Sequence, residues 1–290
     1  MKNMVVLFVL FAGNILFGQI SGNSIIDQNY NSPKQQGINK LYLSDTTFVI
    51  QANVLMNIIA DSYAATFGVS ESSPTLAEAN TKIDKRIQEF LSALTKTGIM
   101  ENDIYIDMTT QTQIADYKIT GNYAEQYISG FEQKKNVIVK FTNIYDLDKM
   151  LILASEYGIY DLAKVDYIVT DISKIYSQLF KAAVEVINEK KELYVMATNV
   201  RLLPSSQIYG ESFAGYYPSQ LYKSYTANIS SEVINYDYDS KFKRKDLRKN
   251  TTYYYDKINY SNFDKVINPV VTEPAIGYVL TLQIKYEIDK

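Results

Sequence analysis

Alternation of apolar and polar residues predicts strands near both ends of the chain. One run begins at Thr47, and after a turn near residues 57–61 a second run continues to Val69; their apolar positions are Phe48, Ile50, Ala52, Val54, Tyr63, Ala65, Phe67 and Val69. A spacing of two indicates strands with one buried face, and we interpret this pair as a hairpin. The last run alternates from Tyr278 to Ile288. We expect this terminal strand to lie beside residues 47–58.

Apolar residues at intervals of three and four predict three helices. The first follows Ser73-Pro74, interpreted as a cap and a first-turn proline, and it ends at Gly98. Asp146 caps the second, which Gly158 ends, and the third spans residues 173–196. Further strands are predicted at residues 103–112, 131–141 and 165–169, with a loop containing Gly121 and Gly130 between the first two.

The order of these elements predicts the fold. From Asp61 it runs β-α-β-β-α-β, the ferredoxin-like arrangement in which two helices cover one face of an antiparallel sheet. The fold class is therefore α+β: a ferredoxin-like core, an extra long helix, and an additional sheet made by the first hairpin and the C-terminal strand.

The remaining segments divide the chain further. Residues 1–18 carry Lys2, a short apolar run and a small residue before Gln19, the pattern of a cleavable signal peptide. Residues 19–46 are interpreted as an N-terminal arm, and residues 47–203 with 271–290 as the α+β domain. Residues 204–270, rich in tyrosine and containing the basic run 241–245, are interpreted as an inserted excursion.

Composition removes many kinds of chemistry. The chain has no cysteine and no histidine, which excludes disulfides, thiol catalysis, lipid attachment through cysteine, Ser-His-Asp triads and histidine-based zinc sites. A net charge of −3 gives no argument for nucleic acid as a partner. We therefore expect no enzyme activity, no cofactor and no resident metal. No segment after the signal peptide is apolar enough to span a membrane.

Two carboxylate patterns were weighed as sites. Asp103 and Asp107 share a strand face, as do Asp237 and Asp239, but a solvated face explains either pair. Residues 235–246 place oxygen ligands like a calcium loop, although the sixth position is Ser240 and the twelfth is Asp246. Neither pattern is taken as a metal site.

The excursion offers the candidate contact surface. Aromatic side chains are common at interfaces, and cations beside them suit phosphate-bearing or sugar ligands. The candidate residues are Tyr209, Tyr216, Tyr217, Tyr222, Tyr225, Lys243, Arg244, Tyr253, Tyr254 and Tyr255. A subunit interface and packing of these rings on the main domain are both open interpretations, with glycan or headgroup binding as a third.

Several segments together resemble the SIMPL (DUF541) family of bacterial periplasmic proteins. The resemblance covers, in order, residues 61–69, 75–99, 103–104, 130–150, 165–167, the third helix, and Pro274 to the terminal strand. The chain departs from the family in having Ala52-Asn53-Val54 where Gly-x-Gly is usual, and Ala60-Asp61 where Pro-Asp is usual.

The resemblance implies an assembly or binding role. Members of the family are linked to oxidative-stress tolerance and surface antigenicity, some form large rings, and no catalytic residue is established. We expect an exported, non-enzymatic, homo-oligomeric envelope protein, located in the periplasm, or alternatively at the cell surface or secreted. Its other partner is expected to be an envelope or surface component, and the rival hypothesis is a module that binds glycans or lipid headgroups.

Overall fold

The computed structural model describes residues 42–43, 47–226, 251–270 and 272–289. The predicted signal peptide and nearly all of the predicted arm lie outside the described residues. Contacts divide the chain into two compact units. The larger contains residues 32–221 and 257–290, and the described part of the smaller is residues 222–226 and 251–256. Each unit is described by itself below.

The ferredoxin-like core lies in the larger unit and confirms the predicted order. Its elements are β3 (Ser62–Ser73), α1 (Leu76–Lys96), β4 (Ile104–Thr120), β5 (Tyr123–Phe141), α2 (Asp146–Glu156) and β6 (Asp161–Ile168). The strands form an antiparallel sheet in the order β4-β5-β3-β6. The helices pack on one face, where Phe67 and Phe90 meet edge to face with their centroids 5.5 Å apart. This is the first of two hydrophobic cores.

A second sheet and the third helix form the other core. The sheet contains β1 (Tyr42–Leu43), β2 (Thr47–Ile58), β7 (Arg201–Tyr216), β10 (Lys265–Ile267) and β11 (Ile276–Asp289). Its order is β1-β2-β11-β7, and β10 pairs in parallel with β2. Helix α3 (Ile172–Thr198) packs its buried stripe, which includes Leu179 and Ile187, on the face that carries Val54 and Leu280. The predicted pairing of the terminal strand with residues 47–58 is confirmed.

The predicted hairpin of residues 47–69 is wrong. β2 and β3 follow each other closely in the chain, but they lie in different sheets. β2 pairs with β11 along one edge and with β1 and β10 along the other, while β5 and β6 flank β3. The turn after β2 therefore takes the chain from the second sheet into the ferredoxin-like sheet, and each strand pairs with partners distant in the chain.

The helix ends agree with the sequence except at the N-caps of α1 and α2. Asp146, predicted to cap α2, is the first residue of that helix, and the N-cap position is Tyr145, which makes no side-chain capping bond. Thr75, not Ser73, is the N-cap of α1, and its hydroxyl accepts a hydrogen bond from the Glu78 N–H. Ser73 is instead the last, buried residue of β3, and its hydroxyl oxygen is 3.0 Å from the Lys82 ammonium. Gly98 and Gly158 follow α1 and α2 with φ angles of 102° and 68°, which glycine adopts without strain.

The loop predicted between the strands of residues 103–112 and 131–141 is also wrong. β4 and β5 are 17 and 19 residues long and pair, with two register shifts, as far as a turn at Gly121-Asn122. β3 accompanies them only as far as Phe131, so residues 114–130 form a two-stranded ribbon, called here the hairpin arm. Gly130 lies within β5, where a Cβ atom would be 2.9 Å from the Ser73 carbonyl oxygen.

Residues 204–270, the predicted excursion, separate into three parts in the structure. β7 pairs with β11 through Tyr216 and thereby extends the second sheet. β8 (Tyr222–Thr226) and β9 (Thr251–Tyr255) form a small sheet of their own in the smaller unit. Residues 257–270, called here the strap, return to the larger unit, where Ile258 is buried and the Tyr260 hydroxyl is 3.2 Å from the Asn57 side-chain nitrogen.

Candidate functional site

Tyr209 projects from an irregularity in an edge strand. The register of β7 on β11 shifts between Ile284, which faces Ile208, and Gln283, which faces Gly210. Tyr209 is the extra residue at this shift, a bulge that turns side chains out of the regular ladder. Ile208 and Tyr209 are 59% and 66% exposed. Together they make an apolar patch on the rim of the second sheet.

Tyr216 and Tyr217 lie at the other end of β7, beside an aromatic row. Tyr278 stacks on Phe213 with a 6° angle between the rings, and Tyr176 meets Phe213 edge to face. Burial raises the pKa of Tyr278 to about 12, with contributions from the phenol of Tyr217 and from the Asp61 carboxylate. Tyr278 therefore stays neutral at physiological pH, and the row offers packing and hydrogen-bonding groups.

A hydrogen bond secures the row to the sheet. The Tyr176 hydroxyl donates to the Glu211 carboxylate at 2.6 Å, and this bond raises the pKa of Tyr176. Because the carboxylate binds the protonated phenol, the arrangement keeps Tyr176 uncharged and holds α3 against β7.

The small sheet carries the other candidate tyrosines on two faces. Tyr222 faces Tyr255 across the strands, with ring centroids 5.9 Å apart, and Tyr253 lies two residues along on the same face. Tyr225 and Tyr254 lie on the opposite face. Tyr253 is 70% exposed. An ion pair between Lys223 and Asp256 links the two chain segments.

The basic part of the candidate surface is not among the described residues. Lys243 and Arg244 lie outside the described residues, as do the calcium-like pattern of residues 235–246 and the Asp237/Asp239 pair. Asp103 ends a 3₁₀ turn (Glu101–Asp103), and Asp107 lies on β4. Within the described ranges, no group of three or more acidic side chains is placed to hold a metal ion.

The hairpin arm is a surface that the sequence interpretation missed. Cross-strand partners share a face, and Ala115/Ile128, Tyr117/Gln126 and Ile119/Ala124 are such partners. One face of the arm is therefore almost entirely apolar, and Tyr117, Ile119 and Ile128 are 61%, 76% and 56% exposed. The opposite face carries Asp116, Lys118, Thr120, Tyr123, Glu125 and Tyr127.

A local signal for the arm was present in the sequence. Ala115, Tyr117 and Ile119 alternate with polar residues, and Gly121-Asn122 stands between two strand-like runs as a two-residue hairpin turn. Gly121 has a φ angle of 63°, as such a turn requires. The two glycines, Gly121 and Gly130, nevertheless favour a loop prediction for these residues, because glycine is typical of turns and loops.

The helices of the described chain include none with the length and hydrophobicity needed to cross a membrane.

Comparison with known proteins identifies the family. No curated protein matches the chain. The family model SIMPL, described as a protein of unknown function (DUF541), matches residues 50–239, which is more than half of the chain and includes both helices and all four strands of the ferredoxin-like core. The chain belongs to the SIMPL (DUF541) family.

Proposed function

We propose that this chain is a non-enzymatic envelope protein that assembles with copies of itself. The observation that carries the proposal is the exposed apolar face of the hairpin arm, formed by Ala115, Tyr117, Ile119, Ala124 and Ile128. A two-stranded ribbon without a third strand or a helix over it is at best marginally stable in water. A second copy would supply the missing cover.

A two-fold axis lets the same apolar face meet itself. In such an interface each copy contributes an identical patch, so no separate partner surface is needed. On the arm the apolar residues occupy one face and the charged residues Asp116, Lys118 and Glu125 occupy the other. The charged side chains would therefore stay in water when two apolar faces join.

The arm alone is too small for a stable interface. Seven residues on each of two strands span roughly 24 Å by 10 Å, or about 240 Å². A stable interface buries about 800 Å² on each partner. Further surface must contribute, and Ile208 and Tyr209 at the rim of the second sheet have the exposure for it. The tyrosines of β8 and β9, among them Tyr253, are the other candidates.

Light scattering after size exclusion tests the assembly. The chain without residues 1–18 is expected to be larger than a monomer at about 10 µM, a concentration that suits micromolar affinity. The double variant Ile119→Lys/Ile128→Lys places two cations in the apolar face and is expected to be monomeric.

The matched control uses the other face of the same element. Tyr123→Lys/Tyr127→Lys adds the same charge to the arm, on the face that would stay in water, and is expected to keep the assembled state. A monomeric wild-type chain, or identical behaviour of the two double variants, would refute the role of the arm. Deleting residues 204–270 is unsuitable, because that deletion removes most of β7 from the second sheet.

Export and stress tolerance belong to the same proposal. The signal-peptide pattern of residues 1–18 supports export to the periplasm. Fractionation of cells that express the whole chain tests this, and retention in the cytoplasm would contradict it. Growth of a deletion strain under peroxide tests the link to oxidative stress.

A second candidate function is binding of glycans or lipid headgroups. It is favoured by the shared face of Tyr222, Tyr253 and Tyr255, since an aromatic face stacks on sugar rings. A glycan array and liposome flotation separate the two functions. Binding that Tyr253→Ser abolishes, in a chain whose oligomeric state does not change, would favour this candidate over assembly.

A further inference from the structure

The groove between α1 and the edge strand β4 has the form of a peptide-binding site. It has a volume of about 410 Å³, and its walls are Gln88, Leu91, Ser92 and Thr95 of α1 and Ile104, Tyr105 and Ile106 of β4, with Glu101 at one end. The helix residues follow a spacing of three and four, so one side of α1 faces the strand. This groove shares no lining residue with the arm or with the candidate tyrosines.

The position of α1 explains why the groove is open. Helix α1 packs on the central strands β3 and β5, through residues such as Ile83, Ile87 and Phe90. β4 lies beyond β5 at the end of the sheet. The side of α1 that is turned towards β4 is therefore not packed closely on a strand, and a channel runs between this side of the helix and β4.

The strand wall of the groove is a free sheet edge. Adjacent residues of a strand point to opposite faces, so a groove that touches Ile104, Tyr105 and Ile106 in succession must run along the edge. Within the described residues β4 pairs only with β5. Alternate N–H and C=O groups of residues 104–107 therefore point away from β5 and are free to pair with another strand.

The usual protections of an edge are absent from this segment. Natural edge strands carry lysine, proline or a bulge that prevents pairing. Residues 104–107 contain neither lysine nor proline, and the first register shift of β4 comes later, between Met108 and Thr110. Tyr105 and Ile106 are 64% and 38% exposed. The accessible edge is thus a short segment of three apolar residues followed by Asp107.

The negative charge at the groove favours a peptide that carries lysine or arginine. Glu101 lines it, and Asp103 and Asp107 lie at the two ends of the exposed segment. None of these three carboxylates forms an ion pair with a described residue, and no lysine or arginine is among the described residues that line the groove. An incoming strand with lysine or arginine beside an aliphatic side chain would match both features.

We propose that this groove binds an extended peptide segment of a partner protein by strand addition to β4. The peptide backbone pairs with residues 104–107, an aliphatic side chain fills the space between Leu91 and Ile104, and a flanking cation meets Glu101. Main-chain pairing supplies affinity in such complexes, and the pocket and the charge supply selectivity. The proposal is independent of self-assembly through the arm.

A labelled peptide tests the site on the chain without residues 1–18. The probe is an end-capped heptapeptide, Gly-Lys-Val-Lys-Leu-Lys-Gly, followed by fluorescence anisotropy. The peptide is expected to bind with a Kd below about 1 mM. A version methylated on the backbone nitrogens of all five central residues keeps every side chain but has no free N–H on either edge between its terminal glycines, so it cannot pair as a strand, and its affinity is expected to fall at least about tenfold.

Two serine variants provide the matched comparison. Ser92→Trp fills the groove and is expected to abolish binding. Ser177→Trp is the control, because Ser177 is also exposed on a helix, and its hydroxyl bonds the carbonyl four residues earlier as that of Ser92 does. Glu101→Lys is expected to weaken binding of the lysine peptide and to strengthen binding of a peptide in which glutamate replaces each lysine.

Each contrary result overturns the proposal. No binding at about 1 mM excludes a groove for such peptides. Equal binding of the methylated peptide, or equal binding by the two tryptophan variants, shows attraction by charge without strand addition. If Ser92→Trp lowers the oligomeric state and no peptide binds, a second copy of the chain occupies the edge instead.

Discussion

The ion pair of Lys190 and Asp264 joins three parts of the second core. The two side chains are 2.6 Å apart and only 16% and 10% exposed. Asp264 also accepts the Asn53 N–H at 2.8 Å, and Lys190 donates to the Gln51 carbonyl at 2.9 Å. Helix α3 and the strap are thus both attached to the edge of β2.

Removing one partner of this ion pair is expected to destabilise the fold. Asp264→Ala leaves the Lys190 ammonium nearly buried without its counterion and should lower the free energy of unfolding by about 3 kcal/mol. Urea denaturation measures the loss. The control is Glu185→Ala, which breaks the exposed pair with Lys265 and should change stability by less than about 1 kcal/mol. Similar losses in the two variants would contradict the structural role.

The Asp61 carboxylate makes the stability of the fold depend on pH. Its carboxylate accepts hydrogen bonds from the N–H and the hydroxyl of Thr170, both at 2.8 Å, and these bonds, the backbone one first, lower the pKa of Asp61. A lowered folded-state pKa stabilises the fold above the unfolded pKa, near 3.9, and the contribution is lost as the pH falls through the folded pKa.

Asp61→Asn should therefore destabilise the chain at pH 7, and the loss should shrink as the pH falls below about 4 and through the folded pKa. The loss at pH 7 should not exceed about 1 kcal/mol, because the carboxylate is exposed. Urea unfolding at pH 7, 5 and 3 measures the difference. Asp107→Asn, whose carboxylate accepts no hydrogen bond from a described residue, is the control. A difference that stays constant across pH would contradict this account.

At the scale of elements, the strap covers the outer face of the second sheet. Ile258 is 7% exposed and packs where Gly277 leaves room; a Cβ atom on Gly277 would come within 2.3 Å of the Ile258 Cδ1 atom. Leu55, fully buried on the same face, lies beside this position. The strap thus acts as a third layer over β2 and β11.

Ile258→Ala should lower the free energy of unfolding by about 2–4 kcal/mol, because it removes buried apolar contacts and leaves a cavity. Ile152→Ala deletes the same atoms from an exposed position on α2 and should change stability by less than about 0.5 kcal/mol. Thermal or urea denaturation compares them. A small loss for Ile258→Ala would mean that the strap is not part of the core.

At the scale of the whole molecule, stability is expected to be uneven. The two hydrophobic cores share Tyr167, which packs against both, so their strands should open together. The hairpin arm packs against neither core. Amide exchange at residues 116–127 should be fast in dilute solution, while β3 and β11 should exchange only through large-scale opening.

Hydrogen exchange by mass spectrometry at two concentrations checks this. Raising the concentration should slow exchange in the arm if a second copy covers it, and should leave β3 and β11 unchanged. Ile119→Lys/Ile128→Lys should abolish the concentration effect. Protection of the arm equal to that of β3 at high dilution would contradict this picture.

Local patterns in the sequence were enough to predict most elements and the α+β class. The helices are recognisable because their apolar stripes must be buried, as Ile83, Ile87 and Phe90 show, and glycines with positive φ mark two of their ends. The ferredoxin-like order follows because it is a property of the chain. The loop prediction at Gly130 was wrong because a glycine within a strand looks like a loop residue in the sequence. Only the structure shows that the Ser73 backbone leaves no room for a side chain there.

The candidate site was only partly predictable. Tyr209 is exposed as expected, but its position depends on a bulge that arises from pairing with β11. The edge groove is built from Leu91 and Ile104, which lie on separate elements, and no local pattern announces it. The Tyr-rich composition predicted a contact surface in residues 204–270, but it did not indicate that β7 belongs to the second sheet.

By itself, then, the sequence determined which residues must be buried, which elements they form, the absence of cysteine and histidine chemistry, and the family resemblance. Tertiary structure alone decided that β2 and β3 part into different sheets, that the strap returns over β2, and that the arm and one sheet edge stay uncovered. The physical reason is that burial patterns are local, whereas strand partners are chosen by competition among edges distant in the chain.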